Sequence, residues 1–200
     1  MTDAGRVIAG SAKGIRLAAP GAGTRALTDR VKQTLFAVLE PDLQDGVVLD
    51  LFAGSGAAGI EALSRGAARA VFVEQDAGAA RVIAGNLART QLSDRGRVVR
   101  RDALGWLDDP AGAAVDGPFD LVVLDPPYAD EGVLLRALEA VGGHVAERGR
   151  VVAKHFWRTA PPDAIGLLAS ERVRRFGETS LTFYRRVSGG RQTAGEASEA

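Results

Sequence analysis

Beyond Lys32 the chain alternates short apolar runs with segments whose apolar residues recur every three or four positions. That rhythm predicts an α/β fold in which a mostly parallel sheet is covered by helices. The apolar runs place strands at Val47 to Leu51, Ala70 to Glu74, Arg97 to Arg101, Leu121 to Leu124 and Gly149 to His155. Helices are predicted over Ala57 to Ser64, Ala77 to Thr90 and Gly132 to Val141, with a short helical turn at Leu104 to Leu107. A further helix begins near Thr28, which can cap it, and continues through Val31, Leu35, Val38 and Leu39. Near the end of the chain, Arg172 to Phe176 and Leu181 to Val187 flank the turn Gly177-Glu178-Thr179, which predicts an antiparallel hairpin at one edge of the sheet.

Three regions follow from this pattern. Residues 1–24, with scattered glycines and alternating Val7, Ile8, Ile15 and Leu17, are expected to form a small basic arm or hairpin outside the core. Residues 25–187 form the main domain. Residues 188–200 contain no large apolar side chain and are expected to be disordered.

Composition narrows the chemistry. A chain of 200 residues with 46% hydrophobic content can bury one proper core. The absence of cysteine excludes disulfides and thiolate metal sites, and His144 and His155 are too few for a histidine metal centre, so no metal is expected. No signal-peptide layout or apolar run near the ~20 residues of a membrane span is present, so the expected location is the cytoplasm, away from any membrane. No apolar surface segment stands out, and a monomer is the default expectation. The net charge of zero conceals segregation. Gly5 to Lys32 carries six basic residues against one acid, Gln33 to Glu147 nine against eighteen, and Arg148 to Arg186 nine against three. Basic ends around an acidic middle suit a polyanion if the fold brings them onto one face; ordinary solvated surface charge is the alternative.

The most specific chemistry stands at the end of the fourth apolar run, in Asp125-Pro126-Pro127-Tyr128. The exocyclic amino nitrogen of a nucleobase is a poor nucleophile, because its lone pair is conjugated into the ring. Asp125 could accept one amino hydrogen and the Pro126 carbonyl the other, both aimed in advance. The successive prolines fix φ and force extended conformations on the residues before them, so the carbonyl direction is built in. Tyr128 could stack on the extruded base. A proline-stiffened turn with a surface tyrosine is the plainer reading.

A second constellation, Asp50-Leu51-Phe52-Ala53-Gly54-Ser55-Gly56-Ala57-Ala58-Gly59, follows the first strand and opens a helix. Its glycines let a cofactor approach the backbone and let the helix pack on the strand. The run Gly54 to Gly59 also fits G-x-G-x-x-G with Glu74 about twenty residues on, which keeps a nicotinamide enzyme in view. Asp50 speaks against it, since a carboxylate there would repel a pyrophosphate but attract a cationic amino group. Glu74, with Gln75 beside it, is placed to meet ribose hydroxyls in either case, and Asp102 with Ala103 to meet adenine. Asp50 and Asp102 could equally cap helices.

With these elements quoted, the chain resembles the bacterial small-subunit rRNA guanine-N2 methyltransferases, the RsmD family. The likeness rests on Arg6-Val7-Ile8-Ala9-Gly10, Thr28-Asp29-Arg30-Val31 with Leu35-Phe36, Phe52-Ala53-Gly54-Ser55-Gly56 with Gly59-Ile60-Glu61-Ala62-Leu63-Ser64-Arg65-Gly66, and Asp125-Pro126-Pro127-Tyr128. It implies a class I methyltransferase fold of seven strands, S-adenosyl-L-methionine as donor, and a guanine of 16S rRNA in the assembled 30S subunit as target. It further implies that Thr28 and Arg30 lie over the methionine end of the cofactor, and that Arg6, Lys13, Arg16 and Arg25 grip RNA backbone. The sequence departs from the family pattern at Ala26, where relatives often have proline, and at Lys154-His155-Phe156-Trp157, where relatives tend to carry an acid. Lys154 and Trp157 could therefore touch RNA, or simply pack at a strand end. Adenine-N6 methylation of DNA or RNA, a nicotinamide-dependent oxidoreductase and a non-catalytic RNA-binding module remain open on these residues.

Overall fold

The structure, a computed structural model, describes residues 3–21, 29–40, 43–109, 115–127 and 131–187. An antiparallel hairpin of β1 (Asp3–Arg6) and β2 (Arg16–Ala18) precedes α1 (Asp29–Leu39). The chain continues through β3 (Val47–Leu51), α2 (Ala57–Ser64), β4 (Arg69–Glu74), α3 (Ala77–Thr90), β5 (Gly96–Arg100), α4 (Ala103–Leu107), β6 (Phe119–Leu124) and α5 (Glu131–Val141). It ends in β7 (Val145–Phe156), β8 (Ala164–Ile165), β9 (Leu168–Phe176) and β10 (Thr179–Arg186). The main sheet has the order β5-β4-β3-β6-β7-β10-β9-β8; its first five strands are parallel and the last three antiparallel.

The central strands are buried on both faces, which is why they read as apolar runs rather than alternating patterns. On one face Val48, Phe72, Leu121, Val123, Val152, Leu181 and Phe183 pack under α1, α2 and α3. On the other, Leu49, Val71, Val73, Val122, Leu124 and Val151 pack against Trp106 of α4 and Leu134, Leu138 and Val141 of α5. From β3 the chain moves outward to β4 and β5, and from β6 it moves the other way to β7. The crevice of such a sheet opens where the strand order reverses, between β3 and β6.

Three expectations change. The sheet has eight strands rather than seven, because two-residue β8 pairs with β9 at the edge. Strand β7 begins at Val145, four residues before the expected start; a register shift against β6 accommodates the polar Glu147-Arg148-Gly149 stretch that hid it. The amino-terminal hairpin is part of the core rather than an appendage. Ala4, Val7, Ala12 and Leu17 are buried in the same cluster as α2. Glu61, fully buried on α2, accepts hydrogen bonds from the Ile8 and Ala9 amides at 2.7 and 3.1 Å. The Ser64 hydroxyl donates to the Ala9 carbonyl and accepts from the Ala12 amide, and Asn86 of α3 grips both backbone groups of Ala18. Contact is so close that a Cβ on Gly10, whose φ is 82°, would stand 1.7 Å from the Ser64 carbonyl oxygen.

Candidate active site

The loop after β3 is shaped by its backbone. Phe52 (φ 65°), Gly54 (φ 55°) and Gly56 (φ 75°) all occupy the left-handed region. For phenylalanine this is strained, and such strain clusters where a loop clamps a ligand. Two bonds fasten the loop: the Ala53 amide donates to the Val73 carbonyl at 3.0 Å, and the Gly54 amide donates to Glu74 Oε2 at 2.9 Å. Ser55 is buried, and its carbonyl accepts from Asn86. Gly59 is required for packing, since a Cβ there would lie 2.3 Å from the Phe72 ring.

The predicted cofactor residues gather around this loop, though not all as expected. Asp50 is only 2% exposed and lies beneath the loop, its Oδ2 accepting from the Gly59 amide at 2.9 Å. It therefore braces the loop from beneath rather than facing the crevice. Burial, reinforced by the nearby Asp125 and Glu74 and opposed by the Gly59 hydrogen bond, pushes its carboxyl up to about 8. Glu74 also accepts from the Asp76 amide through Oε1, so both its oxygens brace backbone while each keeps a lone pair. Gln75 is exposed beside it. Asp102 is a helix cap, accepting from the Gly105 amide at 2.8 Å, and its neighbour Ala103 is buried. Arg30 is exposed on α1. Thr28, Arg25 and Tyr128, like the expected disordered tail, lie outside the described residues.

The corner after β6 is shaped by a charge pair. Lys154, near the end of β7, places Nζ 2.6 and 2.9 Å from the two oxygens of Asp125. The lysine is 8% exposed, which places it in the strand-end packing of the two readings that the sequence left open. Burial raises the Asp125 carboxyl above the usual carboxylate range, and the Lys154 ammonium opposes that rise. Pro126 is buried, Pro127 is exposed, and both line a cavity of about 200 Å³ with Leu134, Leu135, Phe156 and Pro161. His155 bonds on both sides: Nδ1 donates to the Phe156 carbonyl at 2.8 Å, which leaves Nε2 to accept from the Thr182 hydroxyl at 2.8 Å.

Of the expected RNA contacts, Arg6 and Arg16 are already paired, Arg6 with Asp29 at 3.1 Å and Arg16 with Asp3, while Lys13 is exposed. Among the described residues no group of three or more His, Asp or Glu side chains could hold a metal ion. None of the helices described is long and apolar enough to cross a membrane.

Chemically, the crevice holds three neighbouring carboxyl groups, Asp50, Glu74 and Asp125, under a glycine loop whose amide is already claimed by Glu74. With Asp50 protonated up to about pH 8 and Asp125 paired with Lys154, the acceptor left to the crevice is Glu74, which suits hydroxyl groups and disfavours a pyrophosphate. The acceptors at Asp125 and Pro126 stand on the adjacent strand end.

A mostly parallel sheet with an antiparallel C-terminal extension and a glycine loop at its switch point defines a class I S-adenosylmethionine-dependent methyltransferase fold. The chain belongs to the family described as conserved hypothetical protein 95, whose model matches residues 5–185, and the resemblance to the RsmD family holds. Ribosomal RNA small subunit methyltransferase D of Escherichia coli (strain K12) is 33% identical over 192 residues, covering 94% of this chain and 93% of that protein. YlbH of Bacillus subtilis (strain 168), named as a candidate rRNA methyltransferase, is 38% identical over 185 residues, covering 90% and 98%. The solved structure of yhhF from Escherichia coli, named as a candidate methyltransferase, superposes with a TM-score of 0.80 at 32% identity, covering 90% of this chain and 97% of that one.

Proposed function

We propose that this protein transfers the methyl group of S-adenosyl-L-methionine to the exocyclic N2 of a guanine in 16S rRNA, within the small ribosomal subunit. The observation that carries the proposal is the juxtaposition, at the sheet's switch point, of the glycine loop after β3 with the Asp125-Pro126-Pro127 corner after β6. The names of the relatives support an rRNA substrate, and that of the Escherichia coli relative supports the small subunit.

The residues fit the cofactor. Backbone at Phe52 to Gly56 and the Glu74 carboxylate toward ribose hydroxyls would hold it, with Asp50 bracing the loop from beneath and Asp102 and Ala103 at the adenine end. When bound, it supplies an electrophilic methyl group. Asp125 and the Pro126 carbonyl each accept one amino hydrogen of the base, which turns the nitrogen lone pair toward that methyl group. Lys154 opposes the rise that burial imposes on the Asp125 carboxyl and fixes its plane. Each carboxylate oxygen retains a lone pair for the base while the lysine is engaged. Tyr128, by its place after Pro127, stacks on the base.

Adenine presents an amino group of the same kind, so base identity is the point to test. Labelled methyl transferred to undermethylated small subunits should be recovered as N2-methylguanosine. Recovery as N6-methyladenosine would keep the corner's chemistry and overturn the base assignment.

A further inference from the structure

We infer that the substrate RNA's phosphates lie on the C-terminal hairpin, with Arg158, Arg172, Arg174 and Arg175 as the principal contacts, rather than mainly on the amino-terminal arm. The inference rests on the RNA methyltransferase reading above and names the surface that reading needs.

Between α1 and β9 runs a groove of about 750 Å³, lined by Gln33 and Thr34 on one side and by Arg150, Arg172 and Arg174 on the other. Its single carboxylate, Glu171, is engaged by Arg150 at 3.6 Å and Arg185 at 2.5 Å. Arg172 and Arg174 are exposed and make no ion pair with any described residue. Register fixes where the groove leads. Leu181 of β10 pairs with Lys154 on one side and Arg174 on the other, and residues paired across strands share a face. Arg174 therefore stands two strands, about 10 Å, from the lysine that holds Asp125.

The opposite face of β9 continues the surface. Arg175 lies over the Trp157 ring at 3.7 Å, and the Arg158 guanidinium is 4.8 Å from the same ring. Phe156, 6.2 Å from Trp157, lines the cavity beside Pro126 and Pro127. Guanidinium groups clustered with an aromatic plate beside a base-sized cavity suit the backbone and neighbouring bases of an unstacked strand. The arm is less suited, because Arg6 is paired with Asp29 of α1 and Arg16 with Asp3 of β1.

The test compares full-length wild type with the double variants R172Q/R174Q, R158Q/R175Q and K13Q/R16Q. Affinity for 16S rRNA and for undermethylated small subunits is measured across a salt series, beside binding of S-adenosyl-L-methionine. Each hairpin double variant should lower the slope of log affinity against log salt by about 1.4–1.8 and raise KM roughly tenfold, with cofactor affinity unmoved. The arm variant should change the slope by less than half of that. Unchanged slopes in both hairpin variants, with wild type active on rRNA, overturn the surface, as does weakened binding to the subunit with an unaltered slope on naked RNA, which would mark a protein contact. A wild-type protein that transfers no methyl to rRNA overturns the functional reading beneath it.

Discussion

The strand ends after β3 and β6 are neighbours in one sheet, yet they are built by opposite means. The first is set by backbone: three residues with positive φ, two amides pinned to β4, and a glycine against Phe72. The second is set by a side-chain pair reaching across from β7, Lys154 on Asp125. Backbone fixes shape and tolerates little change in volume, whereas an ion pair fixes charge and responds to pH. On the proposed function, a cofactor of constant form suits the first, and a site that receives two amino hydrogens from an incoming base suits the second.

The largest break in this contrast is expected at the corner. Asp125→Ala should cut methyl transfer by roughly 10²–10³-fold or more while leaving S-adenosyl-L-methionine affinity within about threefold; turnover near wild type would remove Asp125 from the reaction. At the loop, Gly59→Val should act through volume. Driving side-chain atoms into Phe72 costs about 1–3 kcal/mol and, in a domain of this size, lowers Tm by several degrees. Thermal unfolding with and without cofactor checks this, and an unshifted Tm would show that α2 can move away from β4.

Lys154→Met should sharpen the comparison through pH. Asp125 already sits above the usual carboxylate range because of burial, and the lysine is what opposes that rise. Without it the carboxyl climbs further, so the acidic limb of the rate profile should move to higher pH, with kcat on the acidic side of the limb falling about tenfold for each pH unit that the limb moves. An unmoved limb with a uniformly lower rate would assign Lys154 a purely structural role. The smallest effect is expected for Asp50→Asn. Folded Asp50 holds its proton up to about pH 8, well above its unfolded value, so the folded state binds more protons across that window. Wild type therefore loses stability as pH rises between roughly 4 and 8, and the variant should show a flatter Tm profile there. Equal slopes would mean Asp50 is ionised in the fold.

Much of this architecture was legible in the sequence because it is local. The apolar runs, the Gly54-to-Gly59 loop and the Gly177 turn each carry their signal within about ten residues. What was not legible depends on partners far along the chain. Glu61 has a local partner in Arg65, but the amides that it also holds lie some fifty residues earlier. Lys154 reads as a strand-end cation, but its partner lies twenty-nine residues back on another strand. Phe52 shows no trace in its own identity of the positive φ it adopts. In each case a long-range contact overrides what the residue type alone suggests.

The strand order has a consequence for the synthesis of the chain itself. Among the described strands β10 is the last in chain order, yet it is laid between β7 and β9 rather than at the rim. A nascent chain made only as far as Phe176 has β9 but no place in the sheet for it, and β7 stands meanwhile as a bare edge. Leu181, which brings Arg174 level with Lys154, also arrives only with that final strand. The growing polypeptide can thus assemble its glycine loop before β10 is made, whereas its arginine-bearing hairpin falls into place only once that strand lies between β7 and β9.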